Sequence, residues 1–170
     1  MSAKLKLYHP TSRGTGCAIG LELHPATAEQ EGSIILEMAH QRTVGSVAGA
    51  AQNGSEFDWE NTVCVRLGFN ELAKVLQVFR GETESVDSER GLMFGDPKVT
   101  RRMMLRHVVE PCCGYSLEVS RYPEVDGGKY SILLTNAEAL GICEAIAGAM
   151  VWVAFGDPHA PCRCAERRAE

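Results

Sequence analysis

The chain has 170 residues, 45% of them hydrophobic and 23% charged, with a formal net charge of −5. That length fits one domain with a substantial core, and the composition is globular. The acidic balance argues against nucleic-acid binding through bulk charge, so any such function has to rest on local basic clusters.

In chain order, Leu5 and Leu7 alternate with Lys4, Lys6 and Tyr8, the period-2 pattern of a half-buried strand. A loop rich in Pro, Ser, Thr and Gly follows from His9 to Gly16. Cys17, Ile19, Leu21 and Leu23 mark a second strand, and Ile34, Leu36 and Met38 a third. Gln41 to Glu56 has small residues and no period, so it reads as a loop. Val63, Val65 and Leu67 give a fourth strand. A helix is then expected, with Asn70 as N-cap, Leu72, Val75, Leu76 and Phe79 at helical spacing, and Gly81 at its C-terminal end.

After an exposed connection from Gly81 to Arg90, a short strand is expected at Leu92 to Phe94 and a longer one within Arg101 to Glu110. Gly114 to Arg121 alternates again, and Asp126-Gly127-Gly128 is a hairpin signal leading into a last strand, Lys129 to Leu134. Thr135 with Glu138 forms a capping box that opens a long apolar helix. Ile132, Leu134, Glu138 and Ile142 repeat the places of Val65, Leu67, Glu71 and Val75 at an offset of 67 positions. The pattern is a duplicated ββββα unit, an α+β fold of two antiparallel four-stranded sheets packed across a helical core. Residues 1–156 form the expected domain, and Asp157 to Glu170 a frayed tail.

Ala139 to Gly156 is apolar almost throughout, and Gly141, Ala145 and Gly148 would let another helix approach closely. A buried or oligomer-facing helix is the reading; a membrane span is the alternative, with Glu144 against it. The N-terminus has no apolar h-region, and seven cysteines in no compact secreted framework point to free thiols in the cytoplasm. His159, Cys162 and Cys164 are a possible metal cluster that leaves a thiol or metal module as a further alternative, though three ligands on a short tail do not complete a tetrahedral zinc site; Cys112-Cys113 is too cramped for ordinary disulfide geometry. No metal, cofactor or catalytic constellation can be assigned, so the chain is not read as an enzyme.

Several local motifs share an order that resembles the Whirly family of single-stranded DNA-binding proteins. They are Phe57-Asp58-Trp59, Val63 to Leu76, Phe94-Gly95-Asp96-Pro97, Gly114-Tyr115-Ser116-Leu117-Glu118-Val119, and Ile132 to Phe155. The resemblance runs from about Leu7 to Gly156. It implies a homotetramer with its helices inside and single strands bound along sheet surfaces. Two departures stand out. Arg13-Gly14-Thr15-Gly16-Cys17-Ala18 replaces the family's Lys-Gly-Lys-Ala-Ala-Leu, and Glu60-Asn61-Thr62 replaces a basic stretch. The lack of a transit peptide points to a bacterial-type relative.

Binding single-stranded DNA or RNA with little sequence choice needs cations for phosphates and flat side chains for bases. The candidates are Lys4, Lys6, Tyr8 and Arg13 near the N-terminus, Trp59, the cluster Lys98, Arg101, Arg102 and Arg106 beside His107, and Tyr115 and Arg121 on the next strand. Trp59 and Tyr115 could equally be packed inside. The expected function is strand binding in transcription regulation or DNA maintenance. The alternative is an oligomeric scaffold that has lost nucleic-acid binding, favoured by the acidic charge, Thr15 and Glu60.

Overall fold

The computed structural model describes residues 4–44, 55–88, 90–95, 99–110, 113–123 and 128–157. Eight strands and two helices follow in the order β1 (Lys4–His9), β2 (Cys17–His24), β3 (Ser33–His40), β4 (Val63–Leu67), α1 (Phe69–Phe79), β5 (Leu92–Gly95), β6 (Thr100–Val108), β7 (Gly114–Tyr122), β8 (Lys129–Leu134) and α2 (Asn136–Phe155). They form two four-stranded antiparallel sheets, β1-β2-β3-β4 and β5-β6-β7-β8, each in sequence order and each followed by a helix. The duplicated ββββα reading of the sequence is therefore the architecture.

Alternation decides which face each sheet buries. In the first sheet Ile19, Leu36, Val65 and Leu67 face inward; in the second Met103, Leu105, Leu117, Ile132 and Leu134 do so, all within one continuous core. The helices cross over: α1 packs on β6 of the second sheet as well as on β4, and α2 on β2 of the first as well as on β7 and β8. Each half thus covers the other's apolar face. Burying one such aliphatic side chain is worth about 1.5–3 kcal/mol, so neither sheet is expected to stand without the opposite helix.

The offset of 67 positions survives in detail. Val75 and Ile142 are both buried, and Glu71 and Glu138 both sit at the third helical position. The N-cap of α1 differs from expectation: it is Gly68, two residues before Asn70, and its N–H donates to the Glu71 carboxylate at 3.1 Å. The physical reason is that Glu71 supplies the capping acceptor from inside the helix, so no cap side chain is required. Gly81 does close α1, at φ +73°, with its N–H donating to the Val78 carbonyl at 3.0 Å.

In α2 the box is complete. Thr135 N–H donates to Glu138 Oε2 at 2.8 Å, and Glu138 N–H donates to Thr135 Oγ1 at 3.3 Å. The other carboxylate oxygen lies 2.7 Å from His9 Nε2 at the end of β1, tying the first strand to the start of the last helix. Only part of α2 is covered: Ala139, Ile142, Cys143, Ile146 and Val153 are buried, while Leu140, Val151 and Phe155 are 63%, 59% and 85% exposed. This helix is long and apolar enough to cross a membrane by length and composition.

The thiols of Cys17, Cys64, Cys113 and Cys143 are free. Burial pushes the Cys17 thiol up to about 11, which keeps it protonated and unreactive at neutral pH. The hairpin signal at Asp126-Gly127, Cys112, and the tail with His159, Cys162 and Cys164 lie outside the described residues.

Partial burial works to raise the Glu138 pKa, but the hydrogen bonds from His9 and Thr135 outweigh it and hold the carboxyl below its usual 4.5. A depressed carboxylate pKa adds stability that is complete above the unfolded value and is lost as pH falls through the folded one. Glu138→Gln should therefore lower stability at pH 7 by about 1 kcal/mol. The deficit should shrink as the pH falls below about 4.5. Urea denaturation of both proteins across pH 3–7, about a two-state unfolding transition, reads the difference.

Candidate nucleic-acid interface

The outer face of the first sheet carries the clearest candidate surface. Antiparallel register puts Lys4, Lys6 and Tyr8 of β1 opposite Glu22, Gly20 and Ala18 of β2, and Gly20 in turn opposite Glu37 of β3. Trp59, from the turn before β4, lies down on this face. A Cβ at Gly20 would meet its ring at 3.5 Å, an ordinary van der Waals contact, so the indole packs directly on the strand at this position. Tyr8 and Phe57 rings stand 5.4 Å apart, Tyr8 meets Trp59 edge-on at 6.2 Å, and Lys6 Nζ sits 4.5 Å over the Trp59 ring. Tyr8 remains 49% exposed, while Trp59 is half-buried beneath Lys6, so a base that stacks on the indole displaces that side chain.

The turn that delivers Trp59 is held on all sides. Asp58 N–H donates to the His40 carbonyl at 2.9 Å, and the Asp58 carboxylate accepts from Asn61 N–H and from the Asn61 side-chain amide. The bond from the Asn61 side chain is the largest influence on Asp58 and keeps its pKa below the usual 3.8. Tyr130 hydroxyl donates to the Asn61 carbonyl at 3.1 Å, and Arg121 Nη2 to the Thr62 carbonyl at 3.4 Å. His40 stacks on the Tyr130 ring at 4.1 Å. Asp58 and Asn61 thus shape the loop, while Phe57 and Trp59 present rings.

Electrostatics on this face are mixed. Lys4 Nζ lies 2.8 Å from Glu22 and 3.0 Å from Glu37. Those two hydrogen-bonded carboxylates, Glu22 first, raise the Lys4 pKa. Lys4 is therefore an internally balanced charge, and Lys6 is the cation that stands over the aromatic group. Arg66 also projects from this face, where its guanidinium donates to Ser33 Oγ and the Glu31 carbonyl.

Arg13 is exposed in the loop after β1. That loop is a turn organised by buried Gln41, whose Oε1 accepts from Thr11 N–H at 2.8 Å and Gly16 N–H at 3.0 Å. Gly14 there adopts φ +73°.

The basic run on β6 is split by strand alternation. Arg102 and Arg106 share the outer face of the second sheet with Ser116, Glu118 and Ser120, and Lys129 pairs with Glu118 at 2.9 Å. Arg101 and His107 share the inward phase of Met103 and Leu105. Arg121 lies opposite Arg101 in register, and the Nε atoms of both are buried without a hydrogen-bond partner. Like charges directly opposed on one sheet face destabilise it, and each unpaired buried donor costs about 1–3 kcal/mol. Tyr115 also points inward: it packs on Phe79 with ring centroids 5.2 Å apart and donates to the Phe79 carbonyl at 3.2 Å. Expected beside the outer basic residues, Tyr115, Arg101 and Arg121 lie on the other side of the sheet, because a shift of one residue along a strand reverses the face. Lys98 lies outside the described residues.

Sequence reading missed Gly20 as the floor beneath Trp59, Phe57 as part of the ring cluster, and the Glu22–Lys4–Glu37 clamp. The shared odd and even phases of these strands carried the signal, but only strand register aligns them.

No family model and no curated protein matches the sequence. Solved structures do match the fold. WHY3 from Arabidopsis thaliana superposes with a TM-score of 0.64 at 17% identity, over 92% of this chain and 90% of that one. WHY1 from Arabidopsis thaliana gives 0.62 at 15% identity, over 91% and 86%. A guide-RNA-binding protein complex, solved with its gRNA bound, gives 0.59 at 13% identity, over 92% and 96%. The chain thus has the Whirly-like fold, two antiparallel four-stranded sheets each followed by a helix.

Proposed function

We propose that this protein binds single-stranded nucleic acid with little sequence choice, as a homo-oligomer, and acts as a binding protein rather than an enzyme. One observation carries the reading: Tyr8, Phe57, Trp59 and Lys6 form a ring-and-cation cluster on an outer sheet face. Every base has a flat face, so such a cluster accepts any base that is not already paired. A duplex hides those faces, which gives preference for single strands. Support comes from the fold, shared with a guide-RNA-binding protein complex bound to its RNA. Arg102 and Arg106 on the outer face of the second sheet add cations for the backbone.

The assembly follows from α2. A face bearing Leu140, Val151 and Phe155, all more than half exposed, is unfavourable in water, and Gly141, Ala145 and Gly148 on it allow close helix approach. We read a homotetramer with α2 inside, working in the cytoplasm in transcription regulation or DNA maintenance. The Glu22 and Glu37 clamp on Lys4 favours a second reading, an oligomeric scaffold without strand binding.

Fluorescence polarisation with a labelled single-stranded oligonucleotide separates the two. The wild type should bind the strand more tightly than the duplex of the same sequence. Trp59→Ala should weaken strand binding roughly ten- to hundredfold while leaving the circular dichroism spectrum unchanged. Wild-type binding that is absent at low salt selects the scaffold; equal affinity for strand and duplex contradicts the single-strand preference.

Light scattering tests the assembly. The wild type should run with the mass of a tetramer, and Leu140→Glu with Val151→Glu should shift it to smaller species. A wild-type monomer at micromolar concentration contradicts the role given to α2.

A further inference from the structure

Arg101 and Arg121 are an arrangement that folding alone does not explain. They oppose each other across β6 and β7 on the inward phase, in the row beyond the Met103–Val119 pair. Among the described residues neither has a carboxylate within ion-pair distance, and both Nε atoms are buried and unpartnered. Both residues are only half-buried overall, although their Nε atoms are not exposed. Two opposed cations with spare donors ask for one anion between them.

We propose that Arg101 and Arg121 form a site for a phosphodiester group of the strand whose bases stack at Trp59. The proposal rests on the strand-binding reading above and adds a defined backbone contact to it. Three features select a phosphate. Guanidinium presents its N–H donors in a planar fork that matches two non-bridging phosphate oxygens. One negative charge between the pair cancels their mutual repulsion. The third feature is position: Arg121 holds the Thr62 carbonyl of the turn that carries Trp59. The pair therefore adjoins the turn that presents the indole. The outer face around Lys4 is less suited to phosphate, because Glu22 and Glu37 already occupy that lysine.

The test uses the full chain and two readouts. First, inorganic phosphate should raise the melting temperature of the wild type above that in chloride at equal ionic strength. The Arg101→Gln/Arg121→Gln double variant should lose this rise; Arg101→Gln alone, which relieves the like-charge contact and keeps the Arg121 bond to Thr62, should melt in chloride no lower than the wild type. Second, with a single-stranded oligonucleotide the double variant should bind about tenfold more weakly, and its log–log salt dependence should be shallower by about 0.7, one phosphate contact fewer. Replacing both arginines by lysine should restore the salt slope but not the full affinity. Equal phosphate stabilisation of wild type and double variant, or strand binding with an unchanged salt slope, overturns the site and leaves strand binding at Trp59 intact. Phosphate stabilisation that the double variant loses, in a protein that binds no strand, upholds an anion site but overturns the phosphodiester assignment together with the strand-binding reading. Should the double variant fail to fold, the wild-type phosphate titration and the lysine variant decide: no phosphate stabilisation in either overturns the proposal.

Discussion

Everything in this fold depends on two apolar sheet faces being covered by two helices that each reach both sheets. On its inner side α2 packs on β2 of the first sheet as well as on β7 and β8, and α1 on β6 of the second sheet as well as on β4. Once both helices are engaged inside, the outer faces of both sheets are left to solvent. That division leaves two half-polar outer faces, the first partly covered by the Trp59 turn, a geometry suited to an extended ligand. It also leaves an imbalance between the helices. The exposed side of α1 carries Asn70, Lys74 and Gln77 with Phe69 at its first turn, whereas that of α2 carries Leu140, Val151 and Phe155 with Glu144 among them. One helix finishes the fold, and the other still has apolar surface to bury.

The chemistry of the proposed interface is shaped by what it lacks as well as by what it has. A chain with net charge −5 gains little from long-range attraction of a polyanion. The outer face of the first sheet holds carboxylates beside its lysines and keeps Lys4 for them. Stacking on rings, which tolerates low net charge, then becomes the main source of affinity there. Among the described residues, cations without a carboxylate partner occur elsewhere: Arg106 on the outer face of the second sheet, and Arg101 with Arg121 behind the Trp59 turn. Bases and phosphates would be held by different elements, with the Phe57–Thr62 turn as the joint between them.

Much of this was legible in the residues. Period-2 alternation located β1 to β4 and β7, and the hairpin and connection signals the other three strands, all to within about two residues, the usual uncertainty at element ends. The repeat offset predicted that Glu71 and Glu138 would serve the same end of their helices, and they do. Lys4, Lys6 and Tyr8 share a face because they share a phase. The same rule, applied to Arg101 beside Met103 and Leu105, marks it as inward; a run of basic residues drew attention away from the alternation that splits it. The N-cap of α1 was misplaced because Asn70 is a favoured capping residue, while Gly68 offers no side chain to notice. Least legible was anything that needs register between distant strands. Gly20 becomes the floor under Trp59, and Glu37 the partner of Lys4, only when β1, β2 and β3 are aligned.

Trp59 is also the most direct reporter of the account. The chain has two tryptophans, and Trp152 lies on α2, so Trp152→Phe leaves a single indole on the proposed interface. Titrating that variant with an unlabelled single-stranded oligonucleotide should quench Trp59 fluorescence in a saturable manner, as bases stack on the ring, with little response to duplex. A strand that binds measurably while the emission of Trp59 stays unchanged would contradict the claim that this outer face holds the bases.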